Sequence, residues 1–538
     1  MKKINIACVI FSVLMASGCY KDKGNYDYTD IKRVEIQFDK ISSYTITQGD
    51  VLEVNPIYPD FVLTNPDNYE FTWYLNDETR PEWNTMNFKW QINDLMERGN
   101  LVIEVRDKST DVKYMNRAMV TVNGVYTNYY SWMILSDDGG KSKLSFLSVN
   151  GLLDPDSADQ PQGSDQYYYD GERFITNVYN GDLGSGPIAL QEHWREGIDY
   201  SETVIGNVCV FQKSGAVDLE GTGFTKEIDM VDAFVGQKYP ASNTVLYPGS
   251  FIQYADVVCD QDGKLYSRLK LSDNVYNSEY FLQSPLKVRG EEEVLENCRV
   301  CRGYYTSNRF GYQVVYDGKN KRFLYFQDGG SSWDTPAEGA SAIVPVKVDS
   351  KLYLEDVVHL DNHNGYELLH LCQSAATGAG WNSYYGFYEV LREEATDKLF
   401  LQQFILTKKY GADSPDIQSI TKKEIKGLPG IPSVMAFPIY RPLEYAFFAI
   451  GKKLYMVDLV NMSDAELYYE FDSDITAMDY GSSSNLHLAV GLEDGSFFVL
   501  GANAAKNIKD EHKLVYKAPE KVGKIVDIKY KNNSMWNY

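Results

Sequence analysis

The chain has 538 residues, 44% apolar and 14% aromatic, with 52 Lys and Arg against 75 Asp and Glu for a net charge of −23. That length exceeds one ordinary core and calls for two or more domains. A field so negative repels phosphate backbones and anionic headgroups, so nucleic acid is excluded as an expected partner.

The first element is a leader. Lys2 and Lys3 precede a largely apolar run from Ile4 to Met15, then the small residues Ala16, Ser17 and Gly18 lead into Cys19. The run is too short to cross a bilayer, which takes about 20 apolar residues. It reads as a bacterial lipoprotein signal peptide over 1–18, with Cys19 as the lipidated residue. Residues 19–30 are polar and Tyr-rich and read as a lipidated tether. No later stretch reaches 18 uninterrupted apolar residues, so the remainder is expected outside the membrane.

Over residues 31–124 strand signals follow in quick succession: Arg33–Phe38, Val51–Tyr58, Tyr69–Leu75, Leu101–Arg106 and Ala118–Val122. Gly, Asn, Asp or Pro separates them, as turns require. Some 90 residues with five to seven short strands is the size of an immunoglobulin-like β-sandwich. Trp73 is its expected core aromatic, and no cysteine pair crosses the region.

From residue 125 to 538 one pattern recurs, an apolar strand, a tight turn and a second strand opening on an aliphatic–aromatic pair. The turns fall at Gly139, Gly215, Gly263, Gly318, near 376, at Gly451 and at Gly495, 44 to 76 residues apart. Asp-Gly and Ser-Gly tolerate the positive φ of a tight hairpin, while flanking β-branched and aromatic residues fill the pleat. One hairpin per repeat of this length predicts a β-propeller of seven blades, or eight if Asp349–Tyr353 counts as a further copy. The last strand, Lys524–Tyr530, is expected to close the ring against the first blade and remove its exposed edge. The fold class is therefore all-β, a sandwich followed by a propeller.

The lipoprotein leader, the Cys-Tyr-Lys-Asp-Lys-Gly-Asn-Tyr-Asp-Tyr start at 19–28, the sandwich and the long β-rich remainder together resemble the PKD-like lipoproteins of Bacteroidota. Tyr69-Glu-Phe-Thr-Trp73 and Leu101-Val-Ile-Glu-Val-Arg-Asp107 look like PKD strand signatures, although Tyr74-Leu-Asn-Asp77 stands where a Gly-Asp-Gly turn is usual. Lys21-Asp22 is similar to the short signal that sends such lipoproteins to the cell surface. The resemblance implies a location at the outer membrane, facing the exterior, beside nutrient-uptake machinery.

Candidate chemistry is sparse. His359, Asp361 and His363 would share one face of a strand and could supply a metal site, but Asp361-Asn-His-Asn-Gly365 reads as a turn that breaks the alignment. Asp137-Asp138-Gly139 and Asp260-Gln-Asp262-Gly263 lack the late Glu of a calcium loop and read as hairpin turns. Past the leader and Cys19, five cysteines remain, Cys209, Cys259, Cys298, Cys301 and Cys372, an odd and scattered set that reads as buried thiols. No Gly-x-Ser-x-Gly elbow or phosphate-cradling Gly-Lys-Ser/Thr occurs. The ligand-binding candidates are the loop tryptophans Trp194, Trp333 and Trp381, whose rings could stack on a sugar or grip a peptide side chain.

These features predict an outer-membrane, lipid-anchored, surface-exposed protein without a cofactor. It would act as a non-enzymatic binding or docking module for glycan or peptide uptake, with a transporter complex as partner. The alternative is a propeller-type hydrolase or lyase acting on glycans or peptides.

Overall fold

The computed structural model describes residues 33–38, 43–127, 130–149, 151–153, 168–193, 206–251, 255–269, 280–301, 312–327, 342–353, 356–377, 384–407, 416–438, 445–481, 487–502 and 513–531. Residues 1–18, expected as a leader, Cys19 and the three loop tryptophans Trp194, Trp333 and Trp381 lie outside these residues. The fold is all-β and divides into two compact units, 1–123 and 124–538.

The first unit holds β1 (Ser43–Thr47), β2 (Val51–Val54), β3 (Tyr69–Leu75), β4 (Phe88–Gln91), β5 (Met96–Asp107) and β6 (Lys113–Asn123). They form a four-stranded sheet in the order β1-β6-β5-β3 and a two-stranded sheet β2-β4. Alternation decides which faces meet: Phe71, Trp73 and Leu75 of β3 and Leu101, Ile103 and Val105 of β5 are buried, as are Leu52, Val54 and Phe88 from the small sheet. Trp73 is fully buried, and its indole N–H donates to the Thr85 carbonyl at 2.9 Å, so its polar end is satisfied inside the core. One expectation needs correction. Arg33–Phe38 forms only an isolated bridge, Gln37 with Ile57, although Val34 and Ile36 are buried as its alternation requires. The edge strand is instead β1, which runs parallel to β6.

In the second unit the described strands form seven sheets of three or four strands, taken in chain order. The first joins β7 (Trp132–Asp138) and β8 (Lys141–Ser148) to β11 (Arg173–Ile175); β9 (Gly151–Leu153) and β10 (Tyr168–Asp170) form a small ribbon inserted between. The second is β12 (Pro187–His193), β13 (Asn207–Gln212), β14 (Val217–Leu219) and β15 (Lys226–Asp229). The third is β16 (Leu246–Phe251), β17 (Ala255–Asp260) and β18 (Leu265–Leu269). The fourth is β19 (Cys298–Val300), β20 (Tyr312–Asp317), β21 (Arg322–Gln327) and β22 (Ile343–Pro345). The fifth is β23 (Tyr366–Thr377), β24 (Tyr384–Glu393), β25 (Leu399–Thr407) and β26 (Asp416–Ile425). The sixth is β27 (Val434–Ala436), β28 (Tyr445–Ile450), β29 (Lys453–Asp458) and β30 (Glu466–Glu470). The seventh is β31 (Ile475–Tyr480), β32 (His487–Leu492), β33 (Phe497–Gly501) and β34 (Leu514–Lys517).

The final strand, β35 (Lys524–Tyr530), returns to the first sheet and pairs antiparallel with β7, Ile528 opposite Ile134 and Tyr530 opposite Trp132. Each of the seven hairpins read from the sequence lies in a different sheet. The Asp349–Tyr353 copy does not: it holds a 3-10 turn at Ser350–Leu352, nucleated by the Asp349 carboxylate accepting the Lys351 N–H at 3.0 Å. An Asx-type bond there competes with strand pairing.

The leading strands of successive sheets adjoin one another: β35 packs on β12 and β31, β12 on β16, β16 on β19, and β27 on β31. Arg299 of β19 reaches the Leu368 carbonyl of β23, and His370 of β23 stacks on Phe437 just past β27. The middle strands are buried on both faces, β13, β17 and β32 along their whole length, and so read as continuous apolar runs. The cores therefore lie between sheets, as in the cluster joining β13 of the second sheet to Val258 of the third.

Candidate functional site

Among the described residues, two cavities open beside the leading strands. One, of about 440 Å³, is lined from five sheets by parts of β19, β23, β35, β31 and the segment around β27. The other, of about 710 Å³, lies among the turns of the third, fourth and fifth sheets, bounded by Gly263, Asn297, Gly318, Lys321 and Glu394. Arg299 and Val300 line both, so the two spaces meet at β19.

Pairing fixes the backbone at that junction. β19 is tied to β20 by Cys298 opposite Asp317 and Val300 opposite Val315. The turn beside it is closed by Gly263, at φ +73°, where an added Cβ would sit 2.4 Å from the Cys298 nitrogen. Only glycine permits that approach.

The charged groups facing the smaller cavity are Arg299, Asp479, Asp527 and Lys529, with His370 beside them. Both carboxylates are engaged by neighbouring strands. Asp527 Oδ2 accepts the Leu190 N–H of β12 at 2.8 Å, while Asp479 accepts the Tyr530 N–H at 2.9 Å and faces the Lys529 ammonium at 3.3 Å. Thr476 donates to the Ile525 carbonyl at 2.6 Å. These bonds stitch β31, β35 and β12 together across the cavity wall. Beneath them Lys531 is fully buried 3.6 Å from Glu192, and burial holds its ammonium below the usual lysine range.

His359, Asp361 and His363 are not brought together. His359 is exposed and lies flat on Tyr353, ring centroids 3.7 Å apart, while the Tyr353 hydroxyl reaches Asp361 at 3.3 Å. His363 is fully buried, its Nε2 2.8 Å from Glu389, whose other oxygen accepts from Gln402 Nε2 at 2.7 Å. Gln402 in turn bridges to the backbone N–H and carbonyl of Val358, so this network pins the 356–365 turn to its sheet. Among the described residues no group of three His, Cys, Asp or Glu side chains is arranged to hold a metal ion.

Other buried pairs of catalytic appearance serve the same end. His193 Nε2 lies 2.6 Å from Asp218, which also accepts from Asn207 at 2.8 Å, and Arg268 pairs with Asp256 at 2.9 Å with both side chains almost wholly enclosed. The first spans β13 to join β12 with β14, and the second joins the paired strands β17 and β18. The cysteines behave likewise. Cys298 and Cys301 face different cores, and burial pushes both thiols well up, with Cys259 raised to about 12.

Sequence reasoning did not single out Arg299, Asp479, Asp527 or Lys529. Their signal was present: Asp527 and Lys529 interrupt Lys524-Ile-Val-Asp-Ile-Lys-Tyr530 on alternate positions, as does Asp479 in Ile475-Thr-Ala-Met-Asp-Tyr480. It becomes legible only once these are known to be leading strands.

Comparison with known proteins bears on the first part of the chain. Residues 19–180 match the PKD-like family. The matched stretch runs past the first unit and through β7, β8 and β11 of the second. No curated protein matches the sequence. Among solved structures, the lignostilbene dioxygenase of Pseudomonas brassicacearum is similar at 8% identity over 76% of this chain and 93% of that one, with a TM-score of 0.34. AztD of Citrobacter koseri is similar at 12% identity over 86% of this chain and 97% of that one, TM-score 0.33, and its apo form at 9% identity and 0.31. Similarity of this size assigns neither an activity nor a ligand to this chain.

Proposed function

We propose that the protein is a non-enzymatic binding module of the outer membrane, exported by the 1–18 leader, lipidated at Cys19 and facing the cell exterior. In this reading residues 124–538 are a seven-bladed β-propeller, its leading strands surround the axis, and the axial cavity receives a glycan or peptide ligand. A transporter complex in the same membrane is the partner that would take the ligand onward.

The observation that supports binding over turnover is the state of the cavity's acids. Hydrolysis of a glycoside needs one carboxyl to give a proton and a second to attack or to activate water. Asp479 and Asp527 already accept backbone N–H groups from adjoining strands, and Asp479 also faces Lys529. They hold the wall.

The test is incubation of the full-length mature lipoprotein in detergent with a panel of polysaccharides and peptides. Retention of a panel member without its consumption is expected, and Leu371→Trp, on a β23 residue that lines the cavity, should abolish retention. Turnover of any member contradicts the reading. Labelling with radioactive palmitate tests the anchor, since Cys19→Ala should carry no label.

A further inference from the structure

Arg299 stands apart from the other cations around the two cavities. Lys529 faces Asp479 at 3.3 Å, Lys321 faces Glu394 at 3.0 Å, and Arg392 holds Glu367 at 2.5 Å. Among the described residues Arg299 has no carboxylate partner; its Nη1 donates to the Leu368 carbonyl at 2.5 Å, and the side chain remains exposed. In a chain with 75 acids and 52 bases, an arginine without an acid at the meeting point of two cavities calls for a ligand.

We propose that Arg299 recognises the carboxylate of a small monoanionic ligand, whose uncharged body occupies the 440 Å³ cavity beside His370 and Phe437. This rests on the binding reading above. A guanidinium offers five N–H donors in a planar fork, and with one spent on Leu368 the remainder still fit two carboxylate oxygens. The residue is held for this by its own strand, because β19 is paired along its length with β20.

The surrounding acids limit the charge the site accepts. Asp260 is taken up by the N–H groups of Asp262 and Lys264 and by the Tyr266 hydroxyl, and Asp262 faces Lys264 at 3.5 Å. Asp479 and Asp527, which face the same cavity, are held by Lys529 and the Tyr530 N–H and by the Leu190 N–H, while Glu367 and Glu394 face Arg392 and Lys321. One guanidinium in such surroundings balances a monoanion. A phosphate dianion would need further cations, and those nearby are already paired.

A carboxylate can come from a uronic acid residue of a glycan or from the C-terminus of a peptide, and calorimetry separates them. The probes are glucuronic acid against glucose, and a tripeptide Ala-Phe-Ala against its C-terminal amide, each titrated into the full-length mature lipoprotein in detergent. One carboxylate probe is expected to bind, its neutral counterpart at least about ten-fold more weakly, as loss of a charged hydrogen bond implies. Arg299→Gln should lower affinity by a similar factor with an unchanged melting temperature, and Arg299→Lys should retain part of it. Whichever acid binds identifies the source.

The proposal is overturned if neither acid binds at millimolar concentration, if Arg299→Gln binds as well as the parent, or if a neutral counterpart binds equally. Neutral binding indifferent to Arg299→Gln removes the arginine's role and leaves the binding reading standing. Consumption of an acid probe would remove the non-enzymatic reading while leaving the arginine's assignment intact.

Discussion

Burial sets the chemistry of four of the five cysteines beyond residue 200. Cys209, Cys259, Cys298 and Cys301 are enclosed in apolar cores, where a thiolate loses its hydration, and each thiol is pushed up accordingly. Iodoacetamide at pH 8 should therefore leave these four unmodified in the native protein and modify them after denaturation, as read by mass spectrometry. Rapid native labelling of Cys209 or Cys301 would contradict the packing. The same enclosure makes the His363–Glu389–Gln402 network costly to break. Glu389→Ala strands the histidine and the amide together, and a loss of about 3 kcal/mol in a denaturant titration is expected. A neutral result would mean that the 356–365 turn does not depend on the network.

At the scale of elements, carboxylates fasten the turns. Asp458 is partly desolvated, which alone would raise its pKa, yet the Val460 and Asn461 N–H groups and the Asn461 amide prevail and hold it below the ordinary value. Asp494 is lowered by Lys521 and Ser496 against the same opposing burial. The stability these groups supply is present above the unfolded carboxylate pKa of about 3.9 and is lost as pH falls through the lower folded value. The melting temperature should thus fall as pH drops below about 4, and Asp458→Asn should flatten part of that slope. A slope identical in the variant would remove Asp458 from the account.

Glycine at a hairpin tip acts by shape. Gly495 sits at φ +85°, and an added Cβ would lie 1.7 Å from the Val522 carbonyl oxygen, just before β35. Gly495→Ala must shift backbone as well as adopt a left-handed conformation, at a cost of about 2 kcal/mol or more in thermal unfolding. An unchanged melting temperature would mean that the hairpin does not press on that segment.

These turns are also why the hairpins were legible. A tight turn and its two strands are contiguous in sequence, so Asp-Gly flanked by apolar runs announces them. The same holds for Tyr69–Leu75, a contiguous alternating strand. Ser43–Thr47 escaped notice because its place is fixed by parallel pairing with β6, more than 70 residues away. The cavity was harder still. Arg299, Asp479 and Asp527 come from three strands, and nothing local relates them. His359 and His363 had ligand chemistry but stand on opposite sides of a turn, one on Tyr353 and the other on Glu389.

At the scale of the molecule, an open chain of sheets would leave a row of unpaired N–H and C=O groups at each end, an edge prone to pairing with other chains. The β35–β7 ladder covers the edge of β7, and β35 in turn packs against β12 and β31 of the adjoining sheets. Side chains reinforce it. Ile525 and Ile528 are fully buried with Trp132 and Ile134, and Asp479 and Asp527 tie β35 to the sheets on either side. Closure thereby also builds the cavity wall, since Asp527 and Lys529 belong to the closing strand.

Native-state hydrogen exchange of the amides in 524–530, compared with those in 132–138, tests the closed ring most directly. Strands that share one ladder should open together, so both segments should exchange only at the slow rate of the sheet cores. Exchange across 524–530 many-fold faster than across 132–138 would show a loose terminal tail, and the ring with its axial site would have to be abandoned.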